Sequence, residues 1–216
     1  MKKMTKKSLE ELARIMPVLS EFEQTQFMGG DTYYMDQFGR ITGKKETGGP
    51  DVIHTADSAG YPTGNIIPIP MGMKLSSYDY PVDSGNKTER GILFEDLGKS
   101  GTFEENQAFF QALSRNTSVE WGYAGKEGAT GGTVFSSHSQ GTVEIPTDAV
   151  LEKGYDSLYH SHSTRKEVEY QEGLYSDDDK YQVSNDDQNV QEHYEKEYGF
   201  DNFGVYIADE DKYIHY

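Results

Sequence analysis

Apolar and polar positions fall into two rhythms along this chain. From 103 to 114, Phe103, Phe109, Phe110, Ala112 and Leu113 recur at helical spacing among Glu, Gln and Asn, which predicts an amphipathic helix. Thr102 precedes it with Glu105 three residues on, the spacing of a capping box. Four short runs rich in Val, Thr and aromatic residues follow, separated by glycine-bearing turns: VEWGYA (119–124), GTVFSS (132–137), GTVEIP (141–146) and YDSLYHSHS (155–163). They are expected to be neighbouring strands. The charged stretch 163–182 lacks any period and is expected to be an exposed excursion. Ser184 then stands as an N-cap with Asp187 at the third helical position, Val190, Tyr194 and Tyr198 share one face, and Gly199 marks the stop. Residues 202–216 are expected to close the chain as a hairpin.

The first hundred residues are less regular. Ser8 and Glu11 form a second capping-box pattern, and Leu9, Leu12, Ala13 and Met16 suggest a helix within 9–27 that Pro17 bends or ends. The stretch 31–45 reads as two strands around a turn at Asp36 to Gly39. From about 43 to 100, Gly, Pro, Ser and Asp abound without a sustained period, so this region is expected to be loop-rich. The order of elements predicts an α+β fold, a mixed and largely antiparallel sheet flanked by helices. The expected division is an accessory region, 1–100, and a main domain, 101–216.

Composition narrows the chemistry. With 216 residues the chain can bury a substantial core. A formal charge of -17 disfavours nucleic acid and anionic membrane as partners. Without cysteine, any metal site must be built from His, Asp and Glu, and a thiol nucleophile is excluded. Glu10, Glu11 and Arg14 interrupt what would be the apolar core of a signal peptide, so no Sec signal is read. Synthesis in the cytoplasm, with export as an effector by another route, is the expectation for location. No apolar run is long enough to span a bilayer.

The chain has six histidines, and two of them, His160 and His162, lie one residue apart in a predicted strand. Side chains two apart on a strand point the same way, so both imidazoles can grip one metal. Catalytic zinc takes three protein ligands and keeps a position for water. Asp187, in the first turn of a predicted helix, suits the third place, since a helix N-terminus favours negative charge. Glu120, on the strand after the first helix, is the candidate general base. His54, His138, His193 and His215 have no partner at ligand spacing and carry no predicted role. Asp177 to Asp179 lack the ligand spacing of an EF-hand loop, and GATGG at 128–132 lacks the residues that complete a phosphate loop.

In this order, Glu120 in VEWGYA, then His160-Ser161-His162, then Ser184-Asn185-Asp186-Asp187, the residues resemble the signature of the JAMM (MPN+) zinc metalloproteases. The resemblance covers roughly 101–216 and implies an α-β-α architecture like that of cytidine deaminases. It also implies zinc on His160, His162 and Asp187, Glu120 as general base and acid, and a Ser184 hydroxyl that stabilises the oxyanion. The implied reaction is hydrolysis of a peptide or isopeptide bond in a protein or peptide substrate. Ser163 stands where the family has proline, and the gap to Asp187 is longer than the family's. Within that gap Ser176 to Asp179 repeats the Ser-x-x-Asp pattern, which leaves Asp179 as an alternative third ligand. The leader FMGGDTYYMDQFGRITGKKE resembles that of JAB-like toxin domains of bacterial effectors, which implies an immunity protein as a further partner. The rival reading is a non-catalytic module that keeps the fold with a structural or vestigial metal. A zinc deaminase is disfavoured, because that class uses cysteine ligands and a His-x-Glu pair.

Overall fold

A computed structural model describes residues 30–57, 59, 61–82, 87–96, 100–162 and 185–215, with 185–190 described by backbone alone. The helix expected within 9–27, the excursion 163–182 and Ser184 lie outside the described residues.

The architecture is α+β. Strands β1 (Asp31–Met35), β2 (Ile41–Glu46), β3 (Val52–Ala56) and β4 (Pro62–Pro68) form a four-stranded sheet in the order β2-β1-β3-β4. The second sheet has seven strands: β5 (Met73–Val82), β6 (Lys87–Asp96), β7 (Gly122–Gly125), β8 (Thr133–Ser136), β9 (Ser157–His162), β10 (Asn202–Ile207) and β11 (Lys212–His215). Their order is β11-β10-β9-β7-β8-β6-β5, and β9 with β10 is the parallel pair. The helices are α1 (Phe103–Asn116), the short α2 (Thr147–Val150) and α3 (Asn185–Tyr198).

Helix α1 starts where its sequence dictates. The Thr102 hydroxyl accepts the Glu105 N–H at 3.2 Å, and the Glu105 carboxylate accepts the Thr102 N–H at 2.9 Å. Its apolar face, Phe103, Phe109, Phe110 and Leu113, is buried. That face meets Phe94, Trp121, Tyr123, Val134 and Tyr159 of the large sheet. Met35, Ile53 and Ile67 of the small sheet enter the same cluster, so the two sheets share a core. On the opposite face of the large sheet, Leu93, Ala124, Phe135, Leu158 and Phe203 gather with Ala149, Val150 and Phe200. Val143, Ile145 and, from α3, Tyr194 pack against them.

Three expectations are corrected. The region 43–100 is built of strands rather than loops. Its pattern misleads because β4 exposes both of its sides and β5 is an edge strand, where Pro81 removes no ladder bond. Residue 100 is no boundary between sheets, since β5 and β6 belong to the large sheet. The run 141–146 is not a strand: Ser137 Oγ donates to the Thr142 carbonyl at 2.9 Å and accepts the Glu144 N–H at 3.4 Å, folding the segment back. Its Val143 and Ile145 are apolar because they cover the sheet face. Among the described residues, no helix is long and apolar enough to cross a membrane.

Candidate metal centre

Strand β9 lies inside the large sheet, paired with β7 on one side and β10 on the other. The period of two puts His160 and His162 on one face, as the sequence predicts. Their Nε2 atoms face each other at 2.9 Å, with ring centroids 4.9 Å apart and planes tilted by 51°. His162 is buried, and His160 is partly exposed. Desolvation pushes the His160 pKa down to about 4. The imidazole is therefore neutral near pH 7 and keeps a ring-nitrogen lone pair for bonding.

The nitrogen donors fit a zinc ion. Two nitrogens at about 2.0–2.1 Å from one tetrahedral zinc stand about 3.3 Å apart, so the pair need open by only a few tenths of an ångström. Neutral imidazole is also the protonation state that zinc requires.

The β7–β9 ladder ties the segment that follows Glu120 to the strand of the pair. Gly122 pairs with His160, and Ser161 N–H donates to the Trp121 carbonyl at 2.9 Å, which carries the register beyond the end of β7. The Ser161 hydroxyl accepts the Trp121 N–H at 3.0 Å. Glu120 is the residue before Trp121 and lies outside β7. Glu120 is 5% exposed, so its carboxylate is sheltered rather than at the surface. Its carbonyl accepts the Ser136 hydroxyl at 2.7 Å, and its N–H donates to the Ser139 carbonyl at 2.9 Å.

Helix α3 approaches from the same side. After it ends, the N–H groups of Asp201 and Asn202 both donate to the Asp156 carbonyl at 2.9 Å, beside the start of β9. Because β9 and β10 are parallel, the helix between them runs back along the sheet. Its first turn begins at Asn185. Asp187 belongs to that turn, but its side chain lies outside the described residues, as do Ser184 and Asp179. Among the described residues, no group of three or more His, Asp or Glu side chains is gathered to hold a metal. Of the five predicted residues, the structure thus brings His160 and His162 together, and it buries Glu120 one residue before Trp121, whose carbonyl accepts the Ser161 N–H between them.

Ser136 and Ser161, both buried, went unpredicted although each holds the main chain beside the site. Strand alternation places Ser161 on the face away from the histidines, and nothing in its sequence neighbourhood signals its bond to Trp121. Comparison of the chain with protein-family models, with curated proteins and with solved structures finds no match.

Proposed function

We propose that the chain is a zinc-dependent hydrolase of JAMM type that cleaves a peptide or isopeptide bond. The observation that carries this reading is the pair of imidazoles on β9 whose Nε2 atoms face each other at 2.9 Å, with the buried Glu120 one residue before Trp121, whose carbonyl accepts the Ser161 N–H between them. His160, His162 and Asp187 would hold the ion, with Asp187 favoured over Asp179 because helix α3 begins beside it. When bound, zinc supplies Lewis acidity that polarises the substrate carbonyl and acidifies water.

The chain's own groups do the rest. Glu120 takes a proton from the attacking water and hands it to the leaving nitrogen. Ser184 donates its hydroxyl to the developing oxyanion. His160 and His162 bind as neutral rings, a state that desolvation favours for His160. The likeness of the leader around β1 to JAB-like toxin domains supports a role as a bacterial effector restrained by an immunity protein.

Metal analysis of protein purified without a polyhistidine tag tests the first half, with stoichiometric zinc expected and its loss in a His160→Ala, His162→Ala double variant. Unchanged zinc in that variant sinks the assignment. The second half rests on Glu120→Gln, which should keep zinc while hydrolysis of a peptide library or an isopeptide-linked probe drops by about 10²- to 10⁴-fold. Zinc without hydrolysis in the parent protein would point instead to the non-catalytic binding module.

A further inference from the structure

The reading of Glu120 as a base asks what holds it in place, and the inference that follows rests on that reading. The turn between β1 and β2 reaches the segment that carries Glu120. Its Gln37 carbonyl accepts the N–H of Ser118 at 2.8 Å and its hydroxyl at 2.9 Å. Gly39, at a φ of +71°, lies so close to Val119 and Trp121 that an added Cβ would sit 3.2 and 3.1 Å from them. The Phe38 carbonyl is 2.9 Å from His138 Nδ1. A carbonyl can only accept, so Nδ1 carries the proton.

His138 has a φ of 61°, the left-handed region that residues other than glycine seldom adopt. Such a conformation persists where surrounding contacts enforce it, and it is enriched near functional sites. The N–H of His138 donates to Ser136 Oγ at 3.1 Å, and that hydroxyl donates in turn to the Glu120 carbonyl at 2.7 Å. The next residue, Ser139, supplies the carbonyl that accepts the Glu120 N–H at 2.9 Å. Both main-chain polar groups of Glu120 therefore end on the turn that has His138 at its centre. The ring of His138 ties that turn to the small sheet.

We propose that His138 is a positioning residue for Glu120, joining the β1–β2 turn to the Ser136–Ser139 turn and so fixing the glutamate backbone beside the imidazole pair. The small sheet then acts as a buttress of the site.

The test is amide hydrogen exchange at residue resolution on the full chain loaded with zinc, in the parent and in His138→Ala, His138→Gly and His138→Asn. Alanine removes the ring donor and is strained at positive φ; glycine removes the donor without strain; asparagine keeps an N–H donor and tolerates this backbone. The Glu120 amide is expected to exchange about five- to tenfold faster in the alanine and glycine variants, the equivalent of roughly one net hydrogen bond. In the asparagine variant it returns to near the parental rate. The amides of Tyr123 and Val134, inside the ladder, are expected to hold their rates in all variants. Equal protection of Glu120 throughout, or a uniform loss along β7 and β8, overturns the positioning role. With a cleavable probe, kcat should fall and KM and zinc content should stay constant in the alanine and glycine variants, with rescue by asparagine. Full hydrolysis by Glu120→Gln would remove the proposed chemistry, while the exchange rates would still decide the role of His138.

Discussion

Burial lowers the pKa of His138 below that of a free imidazole, the nearby Arg40 guanidinium lowers it further, and the bond to Phe38 and the Asp36 carboxylate partly oppose this. In the unfolded chain the same ring takes up its proton near pH 6.5. Between the folded and unfolded values the unfolded state binds more protons, so acid favours unfolding. The stabilisation is fully present above about pH 6.5 and is lost as pH falls from there toward the folded value. Urea titrations across this range should show a steeper decline for the parent than for His138→Asn. His160, pushed to about 4, adds a decline of the same sign in zinc-free protein, so the difference between the two curves isolates His138. A residue of this kind is hard to read from sequence. The histidine pair was legible because a spacing of two fixes a shared face. His138 acts through a backbone angle and through a carbonyl 100 residues away in the chain, and neither leaves a periodic mark.

At the scale of elements, legibility follows the strength of local signals. Helix α1 carries both a capping box and a one-sided apolar face, and both are realised in the fold. Strand β9 declares itself by alternation. Strands β4 and β5 do not, because an edge strand with solvent on several sides is free to hold Gly, Pro and Ser. The run 141–146 deceives in the other direction, its Val143 and Ile145 being apolar to cover a sheet rather than to join one. Glycine 122 is a case where a strand requires the absence of a side chain. It pairs with Phe135 on one side and His160 on the other, and a Cβ there would collide with the Phe135 ring. Gly122→Ala must displace that ring within a buried cluster, and overpacking of this sort costs about 1–3 kcal/mol. The urea midpoint should fall accordingly at an unchanged m-value, and a loss below about 0.5 kcal/mol would mean that the ring has room to move.

For the whole molecule, the question is whether the four-stranded sheet is an appendage or part of one cooperative unit. The sequence suggests an accessory region, since the stretch from about 43 to 100 is rich in glycine and proline and reads as loops. The packing argues otherwise: Met35 and Ile53, both wholly buried, lie in the cluster that contains Phe94, Phe110 and Trp121. Ile53 sits on β3, next to the middle of the small sheet, whereas Trp121 adjoins Glu120 at the site. Ile53→Ala leaves a cavity in that shared cluster and should cost about 2–5 kcal/mol. Trp121 is the sole tryptophan and lies in the cluster that both sheets share, so its fluorescence reports on that junction while far-ultraviolet circular dichroism reports on the strands of both sheets. If the sheets unfold together, Ile53→Ala moves the two midpoints by the same amount and the transitions stay superimposed. An appendage would give a different result, with circular dichroism keeping a second transition near the parental midpoint that Trp121 fluorescence does not follow. Superimposed transitions would also account for the buttress: a hairpin turn can fix the backbone of Glu120 only if the sheet it belongs to remains folded whenever the site does.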